Sequence, residues 1–266
     1  ALDRVTAPTA CPPEEWRRAY WLLGMLRQSM LSGGHLTPDG SVYVPRAVWA
    51  QRGARLIAPS VKAAAFAELL AQTVPFGGLL ELEPADTELV LRELGLYCET
   101  IDAIRDHLAR SLPSHATVPS TGSARGVAGG ASGAATAQSG DGPVSGERTA
   151  TEGESSRLAD RVKGFGLYMA RTASILGSGT VRMSDTSEHV ALLAATLGEL
   201  SVFERMHDTF EAAGAPAVLL ARGAHLLAHI DGFICTVVLE LVTQDLSALL
   251  ARYLSKAEAS FITGES

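Results

Sequence analysis

The sequence is short of aromatic side chains, cysteine and positive charge, and each shortage removes a class of protein. Aromatics make up 6% of the 266 residues, and the 47% apolar content is mostly Ala, Leu and Val, which favours close-packed helices over an aromatic-rich β-sandwich. The three cysteines, Cys11, Cys98 and Cys235, are an odd number, far apart and without a C-x-x-C pair. Neither a disulfide framework nor a cysteine-rich zinc site follows from that spacing, and a reducing compartment, the cytoplasm, fits it best. With 22 Lys and Arg against 29 Asp and Glu, the net charge of −7 supplies no basic stripe for tracking phosphates, so no nucleic-acid partner is expected. Residues 1–13 lack the basic start and apolar run of a signal peptide, so secretion is not supported. A membrane-spanning helix needs about 20 apolar residues. The greasiest stretch, 230–242, is broken by Asp231 and Glu240, and no membrane span is expected.

What is present is helical periodicity on both sides of a compositional break. The predicted fold is all-α, a multi-helix bundle of about six to eight helices with a long disordered internal loop. Residues 1–112 form the helical first half and 156–266 the second, expected to pack together as one domain. Between them, 113–155 is rich in Gly, Ser, Thr and Ala with almost no large apolar side chain, a composition that cannot build a core and reads as a flexible insert.

In the first half, Pro12-Pro13-Glu14-Glu15 reads as a helix start, and Trp16, Ala19, Leu23, Leu26 and Met30 form one apolar face up to Gly33-Gly34. Val42 and Val44 predict a brief extended piece after the Pro38-Asp39-Gly40 turn. Helices are expected over 45–51 and 60–74, the second capped by Ser60. From 84 to 112, the series Val90, Leu94, Tyr97, Ile101, Ile104 and Leu108 is a heptad seam in need of a neighbouring helix. In the second half a helix is predicted over 156–176, ended by Gly177-Ser178-Gly179. Asp185-Thr186-Ser187-Glu188 has the pattern of a capping box opening a helix with Val190, Leu193, Leu197, Leu200 and Phe203 on one face. The last helical region, 216–261, is apolar around most of its circumference from 226 to 250 and is expected to be central.

Chemistry-bearing residues are sparse. His225 and His229 stand four apart, placing both imidazoles on one side of a helix where they could share a metal ion, but no sequence-local third ligand accompanies them. Glu204 and His207 match the Glu-x-x-His element of di-metal bundles, which requires a second copy that this chain lacks. The Gly-rich turns follow no strand and carry no Lys, so they are not phosphate loops, and no nucleophile elbow is present. No cofactor is expected. Of Trp16, Trp21 and Trp49, Trp21 lies off the apolar stripe of its helix and is the candidate partner-binding residue. The expected function is an intracellular helical protein–protein interaction or scaffold module without catalytic activity. Homo-oligomerisation is left open. The alternatives are a metal-dependent helical enzyme using Glu204, His207, His225 and His229, or a helical binder of an apolar ligand.

Overall fold

The computed structural model describes residues 10–80, 87–112, 180–212 and 216–263. It is an all-α multi-helix fold. The expected insert at 113–155, the helix at 156–176 and the Gly177-Ser178-Gly179 stop lie outside the described residues. In chain order the elements are α1 (Glu15–Ser32), β1 (Gly34–His35), β2 (Tyr43–Val44), α2 (Arg46–Trp49), β3 (Arg55–Ile57), α3 (Pro59–Thr73), α4 (Phe76–Leu79), α5 (Thr87–Ser111) and β4 (Thr180–Arg182). There follow α6 (Ser187–Leu200), α7 (Val202–Ala212), α8 (Ala217–Phe233), a π-helical turn (Ile234–Val238) and α9 (Leu239–Thr263).

The heptad seam is buried as the spacing requires. Leu94, Tyr97, Ile101, Ile104 and Leu108 of α5 are all within the core, and α5 lies along α8. One cluster of buried apolar side chains draws on both halves of the chain, including Leu23 and Leu26 of α1, Phe66 of α3, Leu193 of α6, Phe203 of α7 and Phe233 of α8. α6 packs against both α1 and α3, while α9 closes on α2 and β3.

Two local expectations are corrected. Ser60 does not cap α3: the helix starts at Pro59, whose missing N–H and fixed φ suit the first position, and the residue before it is Ala58 in the left-handed region (φ 40°, ψ 53°). The Ser60 hydroxyl is buried and has no hydrogen-bond partner among the described residues. The capping box at α6 does not form either. Asp185 Oδ1 instead accepts from the backbone N–H and hydroxyl of Ser187, an Asx turn, while the Thr186 hydroxyl donates to the carbonyls of Trp49 (2.6 Å) and Gln51 (3.2 Å). The tertiary bonds to the 49–51 segment thus replace the local cap.

Two features were not foreseen. β3 and β4, three residues each and from opposite sides of the 113–179 segment, pair antiparallel. In addition, the last rod runs from α8 through the π turn into α9, and by length and composition its span Ala217–Ala259 is apolar enough to cross a membrane. The expectation of no membrane span therefore lacks support, although 44% of that helix's most apolar window is buried inside the protein.

The rod carries Asp245, 1% exposed, which accepts from Lys62 Nζ of α3 (2.6 Å, 0% exposed) and from His189 Nε2 of α6 (2.9 Å). Lys62 also donates to Gln244 Oε1 at 2.7 Å. Removing one member of a buried charge pair leaves the other uncompensated, which costs about 3–5 kcal/mol, whereas replacing the pair by apolar residues is often neutral. Asp245→Ala is therefore expected to destabilise the chain by about 3–5 kcal/mol in urea unfolding, and Lys62→Met with Asp245→Leu to recover most of that loss. A loss below about 1 kcal/mol for the single variant would remove this network from the account.

Candidate functional site

Glu204 and His207 sit on α7, whose buried side is Val202, Phe203 and Met206. His207 does not join His225 or His229. Its Nε2 donates to Asp231 Oδ2 of α8 at 3.0 Å, and the other carboxylate oxygen accepts from the Tyr20 hydroxyl of α1 at 2.5 Å. Trp16, one turn before Tyr20, stacks on the His207 ring with centroids 4.1 Å apart and planes at 22°. The Arg17 guanidinium lies 4.7 Å over the Trp16 ring and pairs with Asp208. Burial and the facing Asp231 carboxylate hold the Tyr20 phenol neutral, far above its ordinary range. Burial also raises the Glu204 carboxyl against the lowering pull of Arg17.

This assembly ties α1, α7 and α8 together. Cys235, on the π turn, is pushed up by burial and by Asp231, which keeps its thiol protonated and weakly reactive. Cys98 of α5 is pushed up to about 12 for the same reason, burial first and Asp102 second.

The remaining predicted residues are dispersed. His229 is half-buried and donates to Asp102 Oδ1 of α5 at 3.0 Å, a carboxylate that also holds Arg105 at 2.9 Å. His225 is exposed. The two histidines nearest in sequence to a metal pattern thus share a helix, whereas His207 and His229 bind different carboxylates. Among the described residues no group of three or more His, Cys, Asp or Glu is arranged to hold a metal ion. Trp21 is half-buried, and its indole N–H has no hydrogen-bond partner among the described residues.

A surface cleft lies elsewhere, between the end of α1, α2 and the first turns of α6. Its wall and floor are Met30 and Leu31 of α1, Trp49 and Ala50 of the α2 segment, and Val190, Ala191 and Ala194 of α6, with Arg46 and Ser187 supplying the polar part. Its volume is about 170 Å³. Small-molecule sites typically run to roughly 300–1,000 Å³, so the cleft suits a few side chains better than a whole ligand.

The cleft has a rigid base. Trp49 is 1% exposed and its indole N–H donates to the Ser29 hydroxyl (3.1 Å), which in turn donates to the Leu26 carbonyl (2.7 Å). Thr186 fixes the Trp49 and Gln51 carbonyls as described above, and Lys256 of α9 donates to Gln51 Oε1 at 2.8 Å. Leu31 stands on the rim, 47% exposed. Sequence reasoning missed this site because its apolar members read as the helix faces they also serve. The one available clue was Leu31, which falls beside the core stripe of α1.

Comparison with protein-family models, with curated proteins and with solved structures finds no match to this chain.

Two expectations follow from the Asp231 centre. Tyr20→Phe removes one of two donors from a buried carboxylate, and the loss is about 1–3 kcal/mol, read by chemical unfolding. The raised Glu204 carboxyl means that the folded chain binds a proton more tightly than the unfolded one there, so stability falls as pH rises through that range. Glu204→Gln should accordingly raise the melting temperature at neutral pH. The gain should vanish below about pH 4, where the unfolded chain is protonated as well.

Proposed function

We propose that the chain is a helical protein-interaction module whose α1–α2–α6 cleft receives apolar side chains from a segment of a partner protein. The observation that carries this reading is the cleft itself. The short Ala191 and Ala194 side chains of its α6 wall let a partner backbone approach closely, its base is held by the Trp49 and Thr186 hydrogen bonds, and a large apolar side chain is left exposed on its rim. Interfaces concentrate their binding energy in such small, well-packed apolar pockets surrounded by polar groups. The free thiols Cys11, Cys98 and Cys235 support action in the reducing cytoplasm.

Selection of a random peptide library on the immobilised full chain tests the reading. Enriched peptides should carry one or two large apolar anchors. Ala191→Glu, a change at an exposed helix position, should weaken their binding at least about tenfold without lowering the melting temperature. Peptides that bind the Ala191→Glu protein equally well would contradict it. A shift of the free chain to a dimer that Ala191→Glu abolishes would assign the cleft to a second copy instead.

A further inference from the structure

In a chain where acids outnumber bases, the short β3–β4 sheet sets two arginines side by side. Arg55 and Arg182 are directly opposed in the antiparallel register, so both side chains leave the sheet on the same face, roughly 4.5–5.5 Å apart at their origins. Both are exposed, and neither has an ion pair or side-chain hydrogen bond among the described residues. Like charges directly opposed weaken a strand pair, a cost that an anionic group placed between them would relieve.

The surroundings add positive charge and fix its direction. Gly53 has φ +70°, and the Gly53 N–H and the Ala54 carbonyl both bond to Met183, so two residues of one strand face one of the other in a bulge. The Arg182 guanidinium lies against this glycine, where an added Cβ would come within 3.1 Å of Nε. Arg52 is exposed beside it and faces Asp185. Lys256 reaches the same end of the molecule through Gln51. One turn before it on α9, Arg252 has a buried Nε without a hydrogen-bond partner among the described residues. The arginines also adjoin the cleft along the chain: Trp49 and Ala50 of its floor lead directly into Arg52, and Arg182 leads into Ser187 of its wall.

We propose that Arg55 and Arg182, flanked by Arg52 and Lys256, dock an acidic peptide segment of the partner protein whose apolar side chains enter the cleft; this inference rests on the interaction-module reading. Guanidinium forks bind carboxylates through paired hydrogen bonds, and two forks on one face fit closely spaced acidic side chains of one segment. A nucleic acid calls for a longer basic stripe than an acidic chain of net charge −7 offers. Docking on an anionic membrane would draw on the same positive charges and is separated from peptide docking by the vesicle arm of the test.

The test is fluorescence anisotropy of a labelled glutamate-rich peptide with leucine anchors on the full chain. A lysine-rich peptide of equal length, a single-stranded oligonucleotide and phosphatidylserine vesicles serve as competing probes. The glutamate-rich peptide should bind, weaken with added salt, and lose at least about tenfold in affinity in the Arg55→Glu, Arg182→Glu double variant. Arg182→Glu alone creates an opposite-charge pair with Arg55, so it should weaken peptide binding while keeping or raising the melting temperature, which separates lost recognition from lost folding. Equal binding to the wild-type and double-variant proteins overturns the proposal, as does arginine-dependent binding of the oligonucleotide or the vesicles that is tighter than that of the peptide. Cleft-selected apolar peptides that bind both proteins while the glutamate-rich peptide binds neither would remove the acidic partner and keep the cleft. Arginine-dependent peptide binding that survives Ala191→Glu would do the reverse.

Discussion

The Asp245 carboxylate, enclosed in the bundle and shared by Lys62 and His189, is the constraint on which the remaining geometry depends. A buried carboxylate has to be met by donors, and here they come from α3 and α6 while the acid comes from α9. Ala and Leu surfaces alone tolerate sliding and rotation, because apolar contacts are not directional. The ion pair and the imidazole bond admit one register of the three helices. Asp231, earlier on the same rod, does the corresponding work for α1 and α7 through Tyr20 and His207. The π turn lies between these two anchors, a site where an extra residue in the turn shifts the phase of the helix that follows it.

This frame determines the surface. Fixing α6 against α1 and α3 fixes the wall of the cleft, and fixing α9 against α2 and β3 fixes its base and the short sheet beside it. The Trp49–Ser29 and Thr186–Trp49 hydrogen bonds then join base to wall. The apolar cleft and the exposed arginines are therefore held by buried polar bonds, and Met30, Trp49, Val190 and Ala194 of the cleft belong to the core as well. For the proposed interaction, a surface held in this way before binding reduces the ordering cost.

Much of the fold was legible in the sequence, because the heptad series from Val90 to Leu108 and the stripe from Ala19 to Met30 are long and regular enough to specify helices and their buried faces. The extended piece at 42–44 was also visible, and it pairs as β2 with β1. What escaped was decided at a distance. Thr186 answers the carbonyls of residues 49 and 51 instead of capping its own helix, and Ser60 yields the start of α3 to Pro59. Three-residue strands such as Arg55–Ile57 are too short to show alternation, and their partner lies beyond the 113–179 segment. The histidines were read by local spacing, whereas His207 and His229 are each claimed by a carboxylate far along the chain. Asp231 looked like an interruption in an apolar run; it is an internal anchor, and its signal was an acid placed on the buried side of a helix.

The central claim is that the α1–α2–α6 cleft is where this chain meets another protein. A photo-crosslinking side chain placed at Ala191, with an equivalent placed at Ala109 on the exposed side of α5 as the control, tests it most directly in living cells. The account predicts a discrete crosslinked partner from position 191 and none from position 109. Equal crosslinking from both positions, or a partner captured only from position 109, would contradict it.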